Sequence, residues 1–434
     1  MKDVSSIGCS PFTGTQKLRR NKKKWAPLRR DLVFLLISLM CVTACRQTKD
    51  QTDRTTGAKP VTDSSLITSC PFFCRDDSGR PVLSWVQQAS PSAAARMYYA
   101  VYDARRGSFG SPRLIPSATG LEAHGEDMPK LIYGQNGAIL AIYNTPNPTP
   151  GNPYTGKVSY TQSFDKGVHW TDAAPLVRDS SGSYDQRYFD VAQLPDGQVG
   201  VVWLNDSKPD GSSLCFARTQ GTQGFSEARV IARHTCQCCR TDLMTDDAGN
   251  IHIAWRGIQH DSIRDMMYCR SADSGKHFST PRRISADNWV IRGCPHTGPS
   301  MAANKDGIHF SWFTMGGGGG IYYCRQQSES PTFSPRQTVS DRVSARHPQI
   351  IALPTGALAL VWDEGAGSGK DIYQRIMLQQ RGPSGLLIHT RPLTAKGLNA
   401  SFPQIIALDN QSALVAYTVY SGQKQQVQYQ VVRL

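Results

Sequence analysis

The chain has 434 residues and a net charge of +14, and it is rich in turn-forming residues, with 38 glycines and 26 prolines. This composition favours an all-β fold with many turns over a helical one. Nine basic and two acidic residues lie within positions 1–44, so half of the net charge belongs to that segment. The other half is spread without a basic run, which argues against a nucleic-acid surface.

The first 44 residues have the pattern of an export signal. A basic stretch ending at Arg30 precedes twelve largely apolar residues, Leu32 to Thr43. Such a run is short for a membrane span and suits the core of a signal peptide. It continues into a Val-Thr-Ala-Cys sequence ending at Cys45, which is similar to the lipobox of bacterial lipoproteins. The resemblance implies lipidation of Cys45; an unlipidated signal or a single anchor helix is the alternative.

The residues after Cys45 are polar and lack periodicity up to position 66, which is typical of a flexible tether. No Asp directly follows the cysteine, which favours the outer membrane over the inner one, on its periplasmic or its surface side. We therefore divide the chain into a signal peptide (1–44), a lipidated tether (45–66) and a folded domain (67–434). We expect a monomer that contacts the membrane only through its lipid.

Beyond residue 67 one pattern recurs seven times: an apolar strand, a turn rich in Gly, Asp and Asn, and a second strand that ends in an aromatic residue. A third strand follows in most repeats, and then a fourth. Such units are too small to bury their own faces, and a ring of them supplies the core. The aromatic residues recur every 50–60 positions, the period of a propeller; they are Trp85, Tyr143, Trp203, Trp255, Trp312, Trp362 and Tyr417.

The repeats predict an all-β propeller of seven four-stranded blades. The seventh repeat shows only three strands before Leu434. We expect a segment near Val61–Ile67 to supply its fourth strand and to close the ring.

Two repeats carry a sharper motif between their third and fourth strands. Residues 163–170 and 271–278 both fit Ser-x-Asp-x-Gly-x-x-aromatic, which resembles the Asp box of sialidase-like propellers. The resemblance covers about residues 68–434 and implies the sialidase superfamily, whose usual six blades make six the alternative to seven. In these hairpins Asp and Ser are expected to bond turn amides while Gly adopts a positive φ. We interpret His169 and His277, which lie inside the motifs, as structural.

The segments that lead from one blade to the innermost strand of the next carry the unusual residues. Blade geometry places these inter-blade segments on one face, together with the loops between second and third strands. We expect them to ring the mouth of the central channel and to form the functional site. They are residues 70–74, 124–129, 185–190, 234–242, 292–298 and 346–348.

Arginine is the first chemistry available at this mouth. Arg187, Arg240, Arg292 and Arg346 occupy nearly the same place in four repeats, and His347 lies beside the last. Guanidinium groups suit a carboxylate or sulfate, and the resemblance to sialidases implies an arginine cluster that holds a sugar carboxylate. We expect Arg240→Ala or Arg292→Ala to abolish glycan binding and to leave the melting temperature nearly unchanged. Structural ion pairs at blade junctions are the alternative.

Hydrolysis by an exo-sialidase-like mechanism has weaker support. The family's Phe/Tyr-Arg-Ile-Pro motif is absent, and the similar residues 113–116 lie on an outer strand of the first blade. No nucleophilic Tyr with its Glu is identifiable, and Tyr188 and Glu364 are weak candidates. Asp127 or Glu126 is a candidate acid. Whether the protein is an enzyme stays open.

Sulfur is the second chemistry. Of twelve cysteines, three on third strands, Cys215, Cys269 and Cys324, are interpreted as equivalent small buried residues. Six others lie in inter-blade segments, where export favours disulfides. With His234, His296 and His347 they also match a copper or zinc site, and redox use is the third option. These six are Cys70, Cys74, Cys236, Cys238, Cys239 and Cys294.

Three functions therefore compete. The first is a propeller lipoprotein that binds, or also hydrolyses, an anionic glycan. The second is a metal-binding or redox lipoprotein, and the third is a scaffold that recognises a protein partner.

Overall fold

The computed structural model describes residues 57–149, 151–177, 184–207, 211–293, 295–327 and 331–434. The export signal, Cys45 and Cys294 lie outside these ranges. Within them the protein is all-β, with seven antiparallel sheets and two single-turn 3₁₀ helices, Gln135–Gly137 and Gly221–Gln223. No helix in the described ranges combines the length and apolarity needed to cross a bilayer.

The first three blades each pair an innermost strand with two central strands and an outer edge. Strand β1 (Lys59–Pro60) precedes them. Blade 1 contains β2 (Ile67–Arg75), β3 (Pro81–Gln88), β4 (Arg96–Asp103) and two short outer strands, β5 (Ser108–Phe109) and β6 (Arg113–Leu114). Blade 2 contains β7 (Lys130–Tyr133), β8 (Ile139–Pro146), β9 (Gly156–Ser163) and β10 (Ala174–Pro175). Blade 3 contains β11 (Tyr184–Gln193), β12 (Val199–Ser207), β13 (Gly211–Arg218) and β14 (Arg229–Arg233).

The remaining four blades follow the same order. Blade 4 contains β15 (Asp242–Thr245), β16 (Ile251–Arg256), β17 (Met266–Ser271) and β18 (Arg282–Arg283). Blade 5 contains β19 (Ser300–Asn304), β20 (Gly307–Thr314), β21 (Gly320–Gln326) and β22 (Gln337–Ser340). Blade 6 contains β23 (Arg346–Ala352), β24 (Leu358–Ala366), β25 (Tyr373–Arg381) and β26 (Leu387–Pro392). Blade 7 contains β27 (Ala400–Ala407), β28 (Ser412–Ser421), β29 (Lys424–Arg433) and β1.

Seven blades, rather than six, are confirmed, and the N-terminal strand closes the ring. Lys59 pairs with Tyr429 and Pro60 with Gln428, so β1 is the outer strand of blade 7. The Val61 N–H donates to the carbonyl of Val427 (3.0 Å). The closing strand therefore lies slightly earlier than Val61–Ile67, inside the predicted tether, and Ile67 instead begins the innermost strand of blade 1.

The recurring aromatic residues mark the centre of every blade. All seven lie on the second strand of their blade, and each is at most 1% exposed. Because alternate residues of a strand face opposite sides, the aromatic residue packs into one inter-blade layer while its neighbours pack into the other. Burying the large ring is the main apolar contribution of each repeat to the core.

Each innermost strand contacts the innermost strand of the next blade, from β2 round to β27 and back to β2. The antiparallel order then fixes two faces. The mouth face carries the inter-blade segments and the loops between second and third strands. The turn face carries the turns between first and second and between third and fourth strands.

Ion pairs and hydrogen bonds between side chains and backbone of the innermost strands connect neighbouring blades around a central cavity of about 200 Å³. A buried ion pair joins Lys130 and Asp190 (2.9 Å). Asp190 also accepts from the backbone N–H of Leu243 in the next blade (2.7 Å), and Asp242 accepts likewise from Met301 (2.7 Å). The charged groups Lys130, Asp190 and Asp242 that line this cavity are thus already partnered.

The two hairpins with the Asp-box-like motif lie on the turn face and share one hydrogen-bond pattern. In the blade 4 copy, the N–H of Gly275 donates to Oγ of Ser271 (3.0 Å) and the N–H of His277 donates to Oδ1 of Asp273 (2.9 Å). Gly275 has φ +84°, and a Cβ there would lie 2.5 Å from Cε1 of Phe216 in blade 3. The hairpin therefore packs one blade against the previous one.

The third-strand cysteines are all buried, but they are not all equivalent. Cys269 and Cys324 pair with residues two positions before the buried Trp of their blade. Cys215 pairs with Trp203 itself. The predicted equivalence is wrong for Cys215, because it lies two residues out of register with the other two.

Candidate functional site

The pairing registers identify one residue per blade at the mouth of the channel. In every blade one residue of the innermost strand pairs with the residue directly before the buried aromatic, and the residue two positions earlier in the chain stands at the mouth. These equivalent residues are Cys70, Met128, Tyr188, Arg240, Gly298, His347 and Phe402.

Four of these positions are β-bulges with a positive φ at a residue other than glycine. The values are 56° at Cys70, 54° at Tyr188, 53° at His347 and 55° at Phe402, and the strand register shifts at each. Bulges re-aim side chains, and strained backbone concentrates at functional sites. Sequence reasoning missed them. Pro follows three of the four residues, and a Pro inside a strand pattern is a known sign of a bulge.

Arg240 reaches across the mouth from blade 4. Its side chain is only 5% exposed and forms an ion pair with Oε1 of Glu126 in the segment leading to blade 2 (3.6 Å). Its Nη2 donates to the carbonyl of Pro348 in blade 6 (2.8 Å). The guanidinium therefore connects three blades and lies across the mouth of the channel.

His347 continues this network at the same depth. Its Nδ1 lies 2.6 Å from Oδ2 of Asp363, and its Nε2 lies 3.4 Å from Oε1 of Glu126. The imidazole stacks on the ring of Phe402 with a centroid distance of 4.2 Å. Glu126 is 3% exposed, and its two oxygens accept no hydrogen bond from the residues described. Arg240 and His347 thus face this carboxylate from two blades.

His124 shows that inter-blade segments from distant parts of the chain converge. The pKa of this imidazole is lowered, mainly because the ring is partly desolvated. The positive charges of His296, Arg187 and His347 lower the pKa further, and only the nearby Glu126 acts in the opposite direction. These neighbours belong to the segments leading to blades 2, 3, 5 and 6. The mouth therefore gathers titratable groups from several sides of the ring.

Asp127 follows His124 by three residues in the chain and is 2% exposed. Its Oδ1 accepts from the backbone N–H of Tyr188 (2.6 Å), which holds the bulge of blade 3. Burial raises the pKa of Asp127 to about 7, against opposing contributions from Arg187 and Lys130. A carboxyl of this kind is partly protonated at neutral pH, as an acid catalyst or a buried structural acid would be.

The four predicted rim arginines do not form a set of equivalent free groups. Arg187 and Arg346 share a register position, Arg240 lies one position further along, and Arg292 is exposed six residues before the equivalent Gly298. Arg187 pairs with Asp185 (2.8 Å) and Glu122 (3.6 Å). Arg346 lies over the ring of Phe313 (3.7 Å) and donates to the Ala345 carbonyl (2.7 Å).

Their ligand-binding roles stay predictions. For Arg240, burial and the ion pair with Glu126 argue against the expectation that it can be replaced without loss of stability. Removing this buried cation leaves the buried Glu126 carboxylate without its main partner. Arg292 alone has the exposure that the expectation requires.

The two weak candidates for a nucleophile pair are held in separate networks. Glu364 accepts from Ser340 Oγ (2.9 Å), Trp362 Nε1 (2.8 Å) and Arg375 Nη2 (2.7 Å), as a buried structural carboxylate does. Tyr188 is 5% exposed, and burial raises the pKa of its hydroxyl far above the usual range. Neither residue is arranged to activate the other.

The inter-blade cysteines fall into separate groups. Cys70 and Cys74 lie in blade 1, where burial raises the pKa of Cys70 to about 12. The cysteines at positions 236, 238 and 239 come together in one turn, with their sulfur atoms within 4.8 Å of one another. None of the cysteines in the described ranges forms a disulfide. The histidines predicted to join a metal site do not belong to this sulfur group.

No protein-family profile and no curated protein matches the sequence. Among solved structures, a protein of unknown function from Dyadobacter fermentans has a TM-score of 0.50 at 12% identity, covering 87% of this chain and all of that chain. The NanB sialidase of Streptococcus pneumoniae scores 0.47 at 9% identity, covering 88% and 93%. A leech intramolecular trans-sialidase scores 0.45 at 8% identity, covering 87% and 92%. The likeness concerns the fold alone.

Proposed function

We propose that this chain is an exported propeller lipoprotein that binds an anionic carbohydrate at its mouth face. The observation that carries the proposal is the convergence around His124 of His296, His347 and Arg187, from the segments leading to three other blades. A site assembled from several blades at the channel mouth is where this fold places ligands.

The charge of the accessible groups favours an anion. Arg292 and His296 are exposed on the segment leading to blade 5, and His124, which lies near His296, is exposed as well. Two buried acids of the mouth are already engaged, since Glu126 faces Arg240 and His347, and Asp127 accepts from a backbone N–H. A carboxylate or sulfate of a sugar would receive hydrogen bonds from the cationic groups that face solvent.

We propose binding without hydrolysis. Retaining glycosidases need a nucleophile and an acid on opposite sides of the scissile bond. Asp127 has the raised pKa of an acid, but Tyr188 and Glu364 are buried in separate contacts and supply no nucleophile.

The test is calorimetric titration of the full chain with sialylated, uronic and sulfated oligosaccharides and with their neutral counterparts. We expect saturable binding of the acidic members only, and no released monosaccharide. His124→Ala and Arg292→Ala should each weaken binding roughly 10-fold or more, the loss of one charge-assisted hydrogen bond.

Arg106→Ala is the matched control. This arginine is 80% exposed on the turn face, so its loss should leave the affinity unchanged. Failure of every acidic oligosaccharide to bind, or equal binding of the neutral ones, would overturn the proposal. Release of a free acidic sugar would show hydrolysis instead.

A further inference from the structure

The turn between Thr235 and Arg240 brings three thiols together inside the molecule. Sγ of Cys236 lies 3.5 Å from Sγ of Cys238 and 3.8 Å from Sγ of Cys239. Two thiolates bound at ~2.3 Å to one ion lie about 3.8–4.0 Å apart in tetrahedral or trigonal geometry. The spacing is therefore close to that of sulfur atoms that share one ion.

Folded strands fix the turn on both sides. The N–H of Cys236 donates to the carbonyl of Arg256 at the end of β16 (2.8 Å). Oγ1 of Thr241 donates to the carbonyl of Tyr188 in the neighbouring blade (2.8 Å). Because these anchors belong to the sheets, the three sulfur atoms are held together before any ligand arrives, which reduces the ordering cost of binding.

The surroundings suit a soft cation. The three cysteines are at most 4% exposed and pack among apolar side chains, including Leu204, Leu214 and Trp255. Nη1 of Arg264 donates to Sγ of Cys236 (2.9 Å). A buried thiolate group needs compensating positive charge, and donors to ligand atoms orient and stabilise metal sites.

We propose that Cys236, Cys238 and Cys239 bind one thiophilic d10 metal ion, Cu(I) or Zn²⁺, with Arg264 donating to the first of the three thiolates. All-thiolate donor sets select these ions over the hard cations that prefer oxygen. On binding, the S–H bonds of the protonated cysteines break, metal–sulfur bonds form and the protons pass to solvent. No electron is transferred. The site is independent of carbohydrate binding.

The test adds one ion at a time to the reduced full chain without oxygen. One arm uses Cu(I) against a chromophoric copper chelator, and the other uses Zn²⁺ against a chromophoric zinc chelator. We expect one ion per chain in at least one arm, and X-ray absorption should show sulfur ligands around it. The arm with the tighter binding identifies the ion.

Serine variants locate the site. Cys236→Ser, Cys238→Ser and Cys239→Ser should each weaken binding at least about 100-fold, more than the loss of a neighbouring donor costs. Cys74→Ser is the matched control, because this half-buried thiol lies in blade 1, and its affinity should match that of the unaltered chain. Thermal melting by circular dichroism confirms that each variant is folded.

Three results would overturn the proposal. The first is no stoichiometric uptake in either arm. The second is full affinity in the triple serine variant. The third is X-ray absorption of the unaltered chain showing only nitrogen and oxygen ligands, a readout that does not depend on whether the variants fold.

Discussion

The two faces of the propeller are built on different rules. On the turn face, short hairpins repeat the same hydrogen bonds, their glycines adopt positive φ, and they pack one blade against the next. On the mouth face, the four β-bulges place positive φ on residues other than glycine, carboxyls are buried beside few partners, and side chains cross between distant blades. One face is specified by local sequence and the other by contacts that exist only after the ring closes.

The largest expected effect is on the mouth face. We expect Arg240→Ala to lower the free energy of unfolding by about 3–5 kcal/mol, because it leaves the buried Glu126 carboxylate uncompensated. Arg292→Ala, an exposed arginine of the same face, should change it by less than about 0.5 kcal/mol. Denaturant unfolding measures both. Adding Glu126→Gln to Arg240→Ala should restore part of the loss.

If the two arginine variants proved equally stable, the buried ion pair of Arg240 with Glu126 would not stabilise the fold. The comparison of faces would then lose its main energetic support.

The second effect is the pH dependence caused by Asp127. Its pKa is raised from 3.8 to about 7 in the folded protein, so the folded state binds the proton more tightly than the unfolded chain does. This contribution to stability is fully present below pH 4 and is lost as the pH rises towards 7, by about 4 kcal/mol in all. Asp127→Asn, which imitates the protonated form, should remove this component.

Melting temperatures of the unaltered chain and of Asp127→Asn, measured between pH 4 and 8, test this pH dependence. The difference between the unaltered chain and Asp127→Asn should change across this range. Parallel curves would contradict the assignment.

The smallest expected effect concerns glycines of the turn face and tests whether the hairpin at Gly275 holds two blades together. Gly275→Ala should cost about 2–3 kcal/mol, because it combines an unfavourable φ with a clash against Phe216. Gly79→Ala shares the positive φ (75°) but meets nothing within 4 Å. It should therefore cost only about 1–2 kcal/mol. Equal losses in urea unfolding would mean that the hairpin does not hold the two blades together.

The fold was predictable because its signals are local and periodic. The seven aromatic residues lie on second strands, where their spacing placed them, and Arg113 lies on an outer strand of blade 1. The closing strand was misplaced by a few residues because two residues of an edge strand carry no periodicity. The predicted register of Cys215 was wrong for a related reason, because a shift of two residues along a strand leaves its pattern of apolar residues unchanged.

The face of the propeller that carries the candidate site was predictable, but the side-chain contacts within the site were not. Sequence reasoning placed the inter-blade segments on one face, where the structure has them, and grouped Cys236 with its neighbours. It could not show that Arg240 points into the channel, because its partners Glu126 and Pro348 lie more than 100 residues away on either side. The bulge at Tyr188 was equally hidden, whereas the Pro that follows His347 was a sign of a bulge that sequence reasoning did not use.

Ring closure by β1 and β29 has a consequence for biosynthesis. Lys59 and Pro60 leave the ribosome first among the strands of the propeller, yet their partners Tyr429 and Gln428 follow about 370 residues later. Until then the first strand of the propeller has no partner. A linear repeat array can mature unit by unit, whereas this ring closes in a single late step that joins its first strand to its seventh blade.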